Sequence, residues 1–128
     1  NIHKKIMKLK YFNYEEFDSP DVQGSGQLMS EVLLNMLDIV RKKYGKPIII
    51  NSGYRTVKHN ASVGGKSDSS HLKGLAVDIK CTKSLDRFKL AKVLIQVGFK
   101  RIGMGNTFVH VDIDKNKTQN VLWTYKNK

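Results

Sequence analysis

The segment Phe108-Val-His-Val-Asp-Ile-Asp114 constrains the fold more than any other stretch of the chain. Side chains alternate across a β-strand, so Val109, Val111 and Ile113 share one face, and Phe108, His110, Asp112 and Asp114 share the other. The apolar face must pack on a core. The opposite face then presents an imidazole and carboxylates to a cleft or to solvent, and a solvated edge accounts for the aspartates more easily than for His110 between them.

The elements around this strand suit an α+β domain, with helices packed on a small antiparallel sheet. Leu28 to Tyr44 has helical periodicity, with Leu28, Val32, Met36 and Ile39 on one stripe and Met29, Leu33, Leu37 and Val40 widening it. Arg41, Lys42 and Lys43 fill its last turn, Gly45 suits a left-handed cap, and Pro47 prevents continuation. Ile48–Ile50 reads as a short buried strand, and residues 51–70 as a long Ser-, Gly- and Asn-rich loop. Leu75 to Cys81 reads as a strand. Ser84 is placed to cap a second helix that buries Leu85, Phe88, Ala91, Leu94 and Ile95 and ends at Gly98, and Val121 to Tyr125 as a last strand.

With 128 residues the chain fits one domain. Residues 1–10 are expected to be a flexible basic leader, and residues 11–128 the domain proper. A lone cysteine, Cys81, excludes an intramolecular disulfide and Cys-rich zinc sites, so any metal must be held by nitrogen and oxygen. The formal charge of +12 calls for an acidic partner, either nucleic acid or an anionic bacterial envelope, unless it serves solubility alone. No helix-turn-helix, zinc-finger or aromatic-studded basic strand supports nucleic acid. No apolar run approaches the roughly 20 residues of a membrane span, and no apolar segment follows the basic start to complete an export signal.

A second segment, Ser70-His-Leu-Lys-Gly-Leu-Ala-Val-Asp78, runs from the long loop into a strand. Gly74 frees the backbone to turn, and Ala76 leaves space beside Asp78. Together the segments offer His71, Asp78 and His110. Three such ligands with an open fourth position are the composition of a catalytic zinc site. His3 lies in the basic tail and His59 in the loop, and neither is expected to join them.

Ser70-His71-x-x-Gly74-x-Ala76-x-Asp78, followed by Val109-His110-Val111-Asp112, resembles the signature of the zinc D-Ala-D-Ala carboxypeptidase family. That family also contains peptidoglycan L-alanyl-D-glutamate endopeptidases and shares its fold with hedgehog signalling domains. Ser52-Gly53-Tyr54-Arg55-Thr56 is similar to the family's Ser-Gly-Tyr-Arg element, and His59-Asn60 and Val63-Gly64-Gly65 match as well. The resemblance implies that His71, Asp78 and His110 hold Zn2+, with Arg55 and Ser70 at the substrate. It implies a monomeric peptidase acting on peptidoglycan peptides at the cell wall, in the manner of a phage lysin. Many members carry an acidic general base three residues before the last zinc histidine, where this chain has Thr107. Asp112, about 6.7 Å along the strand from His110, is the nearest carboxylate on that face and serves either as base or as an orienting partner of a ligand.

Overall fold

The computed structural model describes residues 9–126. The basic leader falls mostly on residues 1–8, outside the described residues. Leu9 packs against the core, and the Lys10 backbone N–H donates to Asp38 at 3.0 Å.

The domain is α+β, with α1 (Glu31–Tyr44), β1 (Ile50–Ser52), α2 (Val57–Ser62), β2 (Ala76–Lys80), α3 (Ser84–Val97), β3 (Arg101–Met104), β4 (Phe108–Asp112) and β5 (Val121–Thr124). The strands form one sheet in the order β1-β2-β4-β3-β5. Every neighbouring pair is antiparallel except β3 and β5, which run parallel, so the sheet is mixed rather than wholly antiparallel. Its inner face carries Val77, Ile79, Ile102, Val109 and Val111, all buried. Leu33, Leu34, Leu37 and Val40 of α1 and Leu90, Val93 and Leu94 of α3 share that core. Each fully buried aliphatic side chain contributes about 1.5–3 kcal/mol, so this packing fixes which sheet face is dry and leaves the other for chemistry. None of the described helices is long and apolar enough to cross a membrane.

The first helix begins at Glu31, not Leu28. Ser30 caps it by accepting the Leu33 N–H at 3.3 Å, and Ser25–Leu28 forms a separate 3-10 turn. Its end follows expectation, with Gly45 in the left-handed region at φ 77°. The expected stripe is displaced, because Leu28, Val32 and Ile39 are exposed while Leu33, Leu34, Leu37 and Val40 are buried. The second helix departs in the same way. Lys83, not Ser84, is its N-cap residue and makes no side-chain capping bond, and Leu85, Phe88 and Ile95 are exposed. Both helices are apolar on more than one side, and contact with the sheet selects the buried one.

The stretch 51–70 is less irregular than its composition implies. Ile50–Ser52 forms an edge strand, displaced from the expected Ile48–Ile50, and Thr56 caps α2 by accepting the His59 N–H at 3.1 Å. Strand β3 has no counterpart in the sequence reading, since four residues interrupted by Gly103 give no alternation to detect.

Candidate metal centre

Strand register assembles the site on the sheet's outer face. Ser52 pairs with Asp78, Asp78 with His110, His110 with Gly103, and Gly103 with Trp123, giving one row across all five strands. His71 comes from a 3-10 turn, Ser70–Lys73, that leads into β2. Ser69 caps this turn by accepting the His71 N–H at 3.2 Å. Gly74 closes it at φ 70°, where an added Cβ would stand 2.4 Å from the Leu28 carbonyl oxygen, so only glycine fits.

His71, Asp78 and His110 offer ligand atoms that all lie within 4.8 Å of one another. His71 Nδ1 stands 2.8 Å from the Gly53 carbonyl, which can only accept. A ring proton therefore sits on Nδ1, which leaves Nε2, 3.3 Å from Asp78 Oδ1, as the nitrogen that faces the cluster. On the other side His110 Nδ1 lies 2.9 Å from the same oxygen. Its Nε2 lies 2.8 Å from Asp112 Oδ2. The two imidazole rings meet edge-on at 5.3 Å.

The carboxylates respond to this arrangement. Burial alone would raise the Asp78 carboxyl, but hydrogen bonds with His110 and His71 and their positive character hold it well below the usual carboxylate range. For His110, burial disfavours the charged ring, yet the Asp112 and Asp78 carboxylates at its two nitrogens carry its pKa above the ordinary value. Such a pair of carboxylates around one buried imidazole needs a compensating cation, whether a ring proton or a metal.

The donors fit a zinc ion. Tetrahedral zinc with bonds of about 2.0–2.1 Å needs ligand atoms about 3.3 Å apart, close to the separations seen here from Asp78 Oδ1 to either histidine. Both imidazoles also have their remote nitrogen engaged by an acceptor, the arrangement that fixes the tautomer of metal-ligating histidines.

The remaining residues singled out in the sequence fall into place around this cluster. Arg55 reaches Ser52 Oγ at 3.0 Å, Asn60 Oδ1 at 3.1 Å and Asp78 Oδ2 at 3.2 Å, one bond from each guanidinium nitrogen. Asp112 is buried, and its Oδ1 accepts from Arg101 Nε at 2.8 Å and from the Asp114 N–H at 3.1 Å. Ser70, expected at the substrate, is buried, and its hydroxyl donates to Asp114 Oδ2 at 2.7 Å. It ties the His71 turn to the end of β4 and offers no surface to a ligand. Thr107 is exposed in the β3–β4 turn, where its carbonyl accepts the Cys81 N–H. His59 lies on α2, half-buried, outside the cluster; His3 lies outside the described residues.

Sequence reasoning missed Arg101, Trp123 and Tyr125. The Trp123 ring stands 5.6 Å from His110 and the Tyr125 ring 6.4 Å. Their signal was present, because alternate residues of one strand share a face, but the orientation of the last strand depends on its pairing with β3.

Comparison with known proteins agrees with this geometry. A family model described as peptidase M15 matches residues 10–113. A protein named zinc D-Ala-D-Ala carboxypeptidase, from Streptomyces albus G, is 36% identical over 77 residues, covering 53% of this chain and 30% of that relative. The chain thus spans about a third of the length of the curated relative it matches. Because the family match takes in all three elements that carry the cluster, from the His71 turn through β2 to β4, the chain belongs to the peptidase M15 family.

Proposed function

We propose that this chain is a zinc metallopeptidase that hydrolyses an amide bond beside a D-amino acid in peptidoglycan stem peptides or cross-links. The observation that carries this reading is the convergence of His71, Asp78 and His110 on one small volume at a polar sheet face in a peptidase M15 family member. The relative's name supplies the substrate class.

In this reading His71 Nε2, Asp78 Oδ1 and His110 Nδ1 hold the ion. Zinc bound there supplies Lewis acidity toward a peptide carbonyl and lowers the pKa of water to about 7. The Gly53 carbonyl and Asp112 keep the remote ring nitrogens protonated, so each histidine presents its lone pair inward. Asp112 acts as a positioning residue, since both of its oxygens are already bonded. A guanidinium carries more N–H donors than the three Arg55 uses, and the remainder bind the peptide carboxylate or charge developing on its carbonyl. The charge of +12 draws the protein, acting as a monomer, to an anionic wall, as a phage lysin requires.

A second reading, a zinc-binding module without catalysis, is favoured by one observation. Asp112 is committed to His110 and Arg101, and the position three residues before His110 is the exposed Thr107. Digestion of purified peptidoglycan with and without a chelator, followed by mass analysis of released fragments, separates the two. Chelator-sensitive release of peptides cut beside a D-residue supports the peptidase, and metal binding without release supports the module.

A further inference from the structure

Strand β5 and the residue that follows it lie beyond residue 113, where the family match ends, yet they supply two of the rings that border the cluster. The strand's parallel pairing with β3 sets Trp123 opposite Gly103, which in turn pairs with His110 on its other side. Tyr125, two residues on, shares the face of Trp123, and its backbone N–H donates to the Met104 carbonyl at 3.3 Å.

Gly103 lets both rings reach the site. A Cβ there would stand 2.7 Å from the Trp123 indole and 2.8 Å from the Tyr125 ring, so both side chains lie across the gap toward His110. The Tyr125 ring also packs on Phe108 at 5.3 Å and on Trp123 at 6.2 Å. Three aromatic rings thus form one wall beside the ligand histidine.

The Tyr125 ring meets the His110 ring edge-on at 6.4 Å, so the phenol borders the cluster. A phenol hydroxyl can both donate and accept, so its proton can be given to a carbonyl oxygen. A tyrosine hydroxyl, with an ordinary pKa of about 10, keeps its proton throughout the neutral range, so Tyr125 offers a donor beside the cluster.

We propose that the Tyr125 hydroxyl is a substrate-contacting group that donates a hydrogen bond to a carbonyl oxygen of the peptide bound at the His71–Asp78–His110 cluster, with Trp123 and Phe108 as the wall that seats it. The inference rests on the peptidase reading for the identity of the ligand, and on the β5 geometry alone for the role of the residue. A donor aimed at a carbonyl oxygen strengthens its bond as negative charge develops there, and loss of one such donor typically lowers turnover by about 10²–10³.

The test compares wild type with Tyr125→Phe, which keeps the ring and its packing, using the full chain and the probe diacetyl-L-Lys-D-Ala-D-Ala. Zinc content by elemental analysis and the thermal midpoint are expected to be unchanged. The chain has a single tryptophan, Trp123, so its emission reports peptide binding at the site directly. In the variant kcat is expected to fall about 10²-fold with a smaller change in KM, and the binding constant read from Trp123 emission to weaken up to about tenfold. Equal kcat and equal binding in the two proteins would overturn the proposal. If wild type binds the peptide without cutting it, a weakened Tyr125→Phe still supports the contact while the peptidase reading fails, and equal binding overturns both. A wild type that neither binds nor cuts the probe likewise overturns both.

Discussion

Asp112 Oδ2 lies 2.8 Å from Nε2 of His110, the ring nitrogen opposite the one that faces Asp78. The same carboxylate is anchored on its other oxygen by Arg101. Arg101 in turn stacks over Trp123 at 4.8 Å and donates to the Thr118 carbonyl at 2.6 Å. His110 is therefore steered by a chain of contacts that reaches the far edge of the sheet.

Asp112→Asn tests that chain. An amide can present its oxygen to His110 or to Arg101 but not to both, so one bond is lost at nearly constant volume. Zinc affinity is expected to fall about 10–100-fold, with function recovered at excess zinc. Intact affinity with turnover lowered by about 10²–10⁴ would instead make Asp112 the general base.

His71→Ala and Asp78→Ala should each lose most bound zinc, because each removes one of three donors, whereas His59→Ala should keep it. Elemental analysis of the purified variants decides this. Full zinc in both ligand variants would dismiss the assignment.

Arg55 joins β1, α2 and Asp78 through three separate nitrogens, a fork an ammonium cannot reproduce. Arg55→Lys should lower stability by about 1–3 kcal/mol in urea titration and reduce peptide hydrolysis, while zinc still binds at saturation. Wild-type stability and turnover would show the fork to be dispensable.

Asp114 offers a pH signature. Burial raises its carboxyl, but Ser70, the Asn116 N–H and Lys73 more than reverse this and leave its pKa lowered. A carboxyl depressed in the fold contributes stability that is fully present above its unfolded value of about 3.9 and is lost as pH falls through the folded value. Asp114→Asn should therefore be less stable than wild type near pH 6, with the gap closing as pH drops below about 4. Urea midpoints across that range measure it, and a gap independent of pH would remove the carboxylate from the explanation.

Gly103→Ala should disturb the aromatic wall with little effect on the distant core. The new Cβ would meet Trp123 at 2.7 Å, and overpacking of this kind costs about 1–3 kcal/mol. A shift in Trp123 emission is expected together with the loss of stability. Unchanged emission would mean that the indole does not lie over Gly103.

The face that each side chain of β4 takes is legible in its own residues. Strict alternation forces Val109 and Val111 inward, and His110 with Asp112 to the opposite side, whatever surrounds them. The end of α1 at Gly45 and the glycine that turns the chain after His71 are legible in the same way, because those positions depend on local backbone sterics. Spacing could not bring His71, Asp78 and His110 within 4.8 Å; the motif resemblance anticipated it, and the register of β2 on β4 accomplishes it. Which side of α1 and α3 is buried follows from the assembled fold, since both helices offer apolar residues on more than one side and the sheet chooses among them. That fold alone buried Ser70 against Asp114 and placed Trp123 and Tyr125 beside His110. A residue's own segment sets the direction of its side chain, but what stands opposite is set by elements far along the chain, and the ligands, their orienting carboxylate and the aromatic wall are all relations of that second kind.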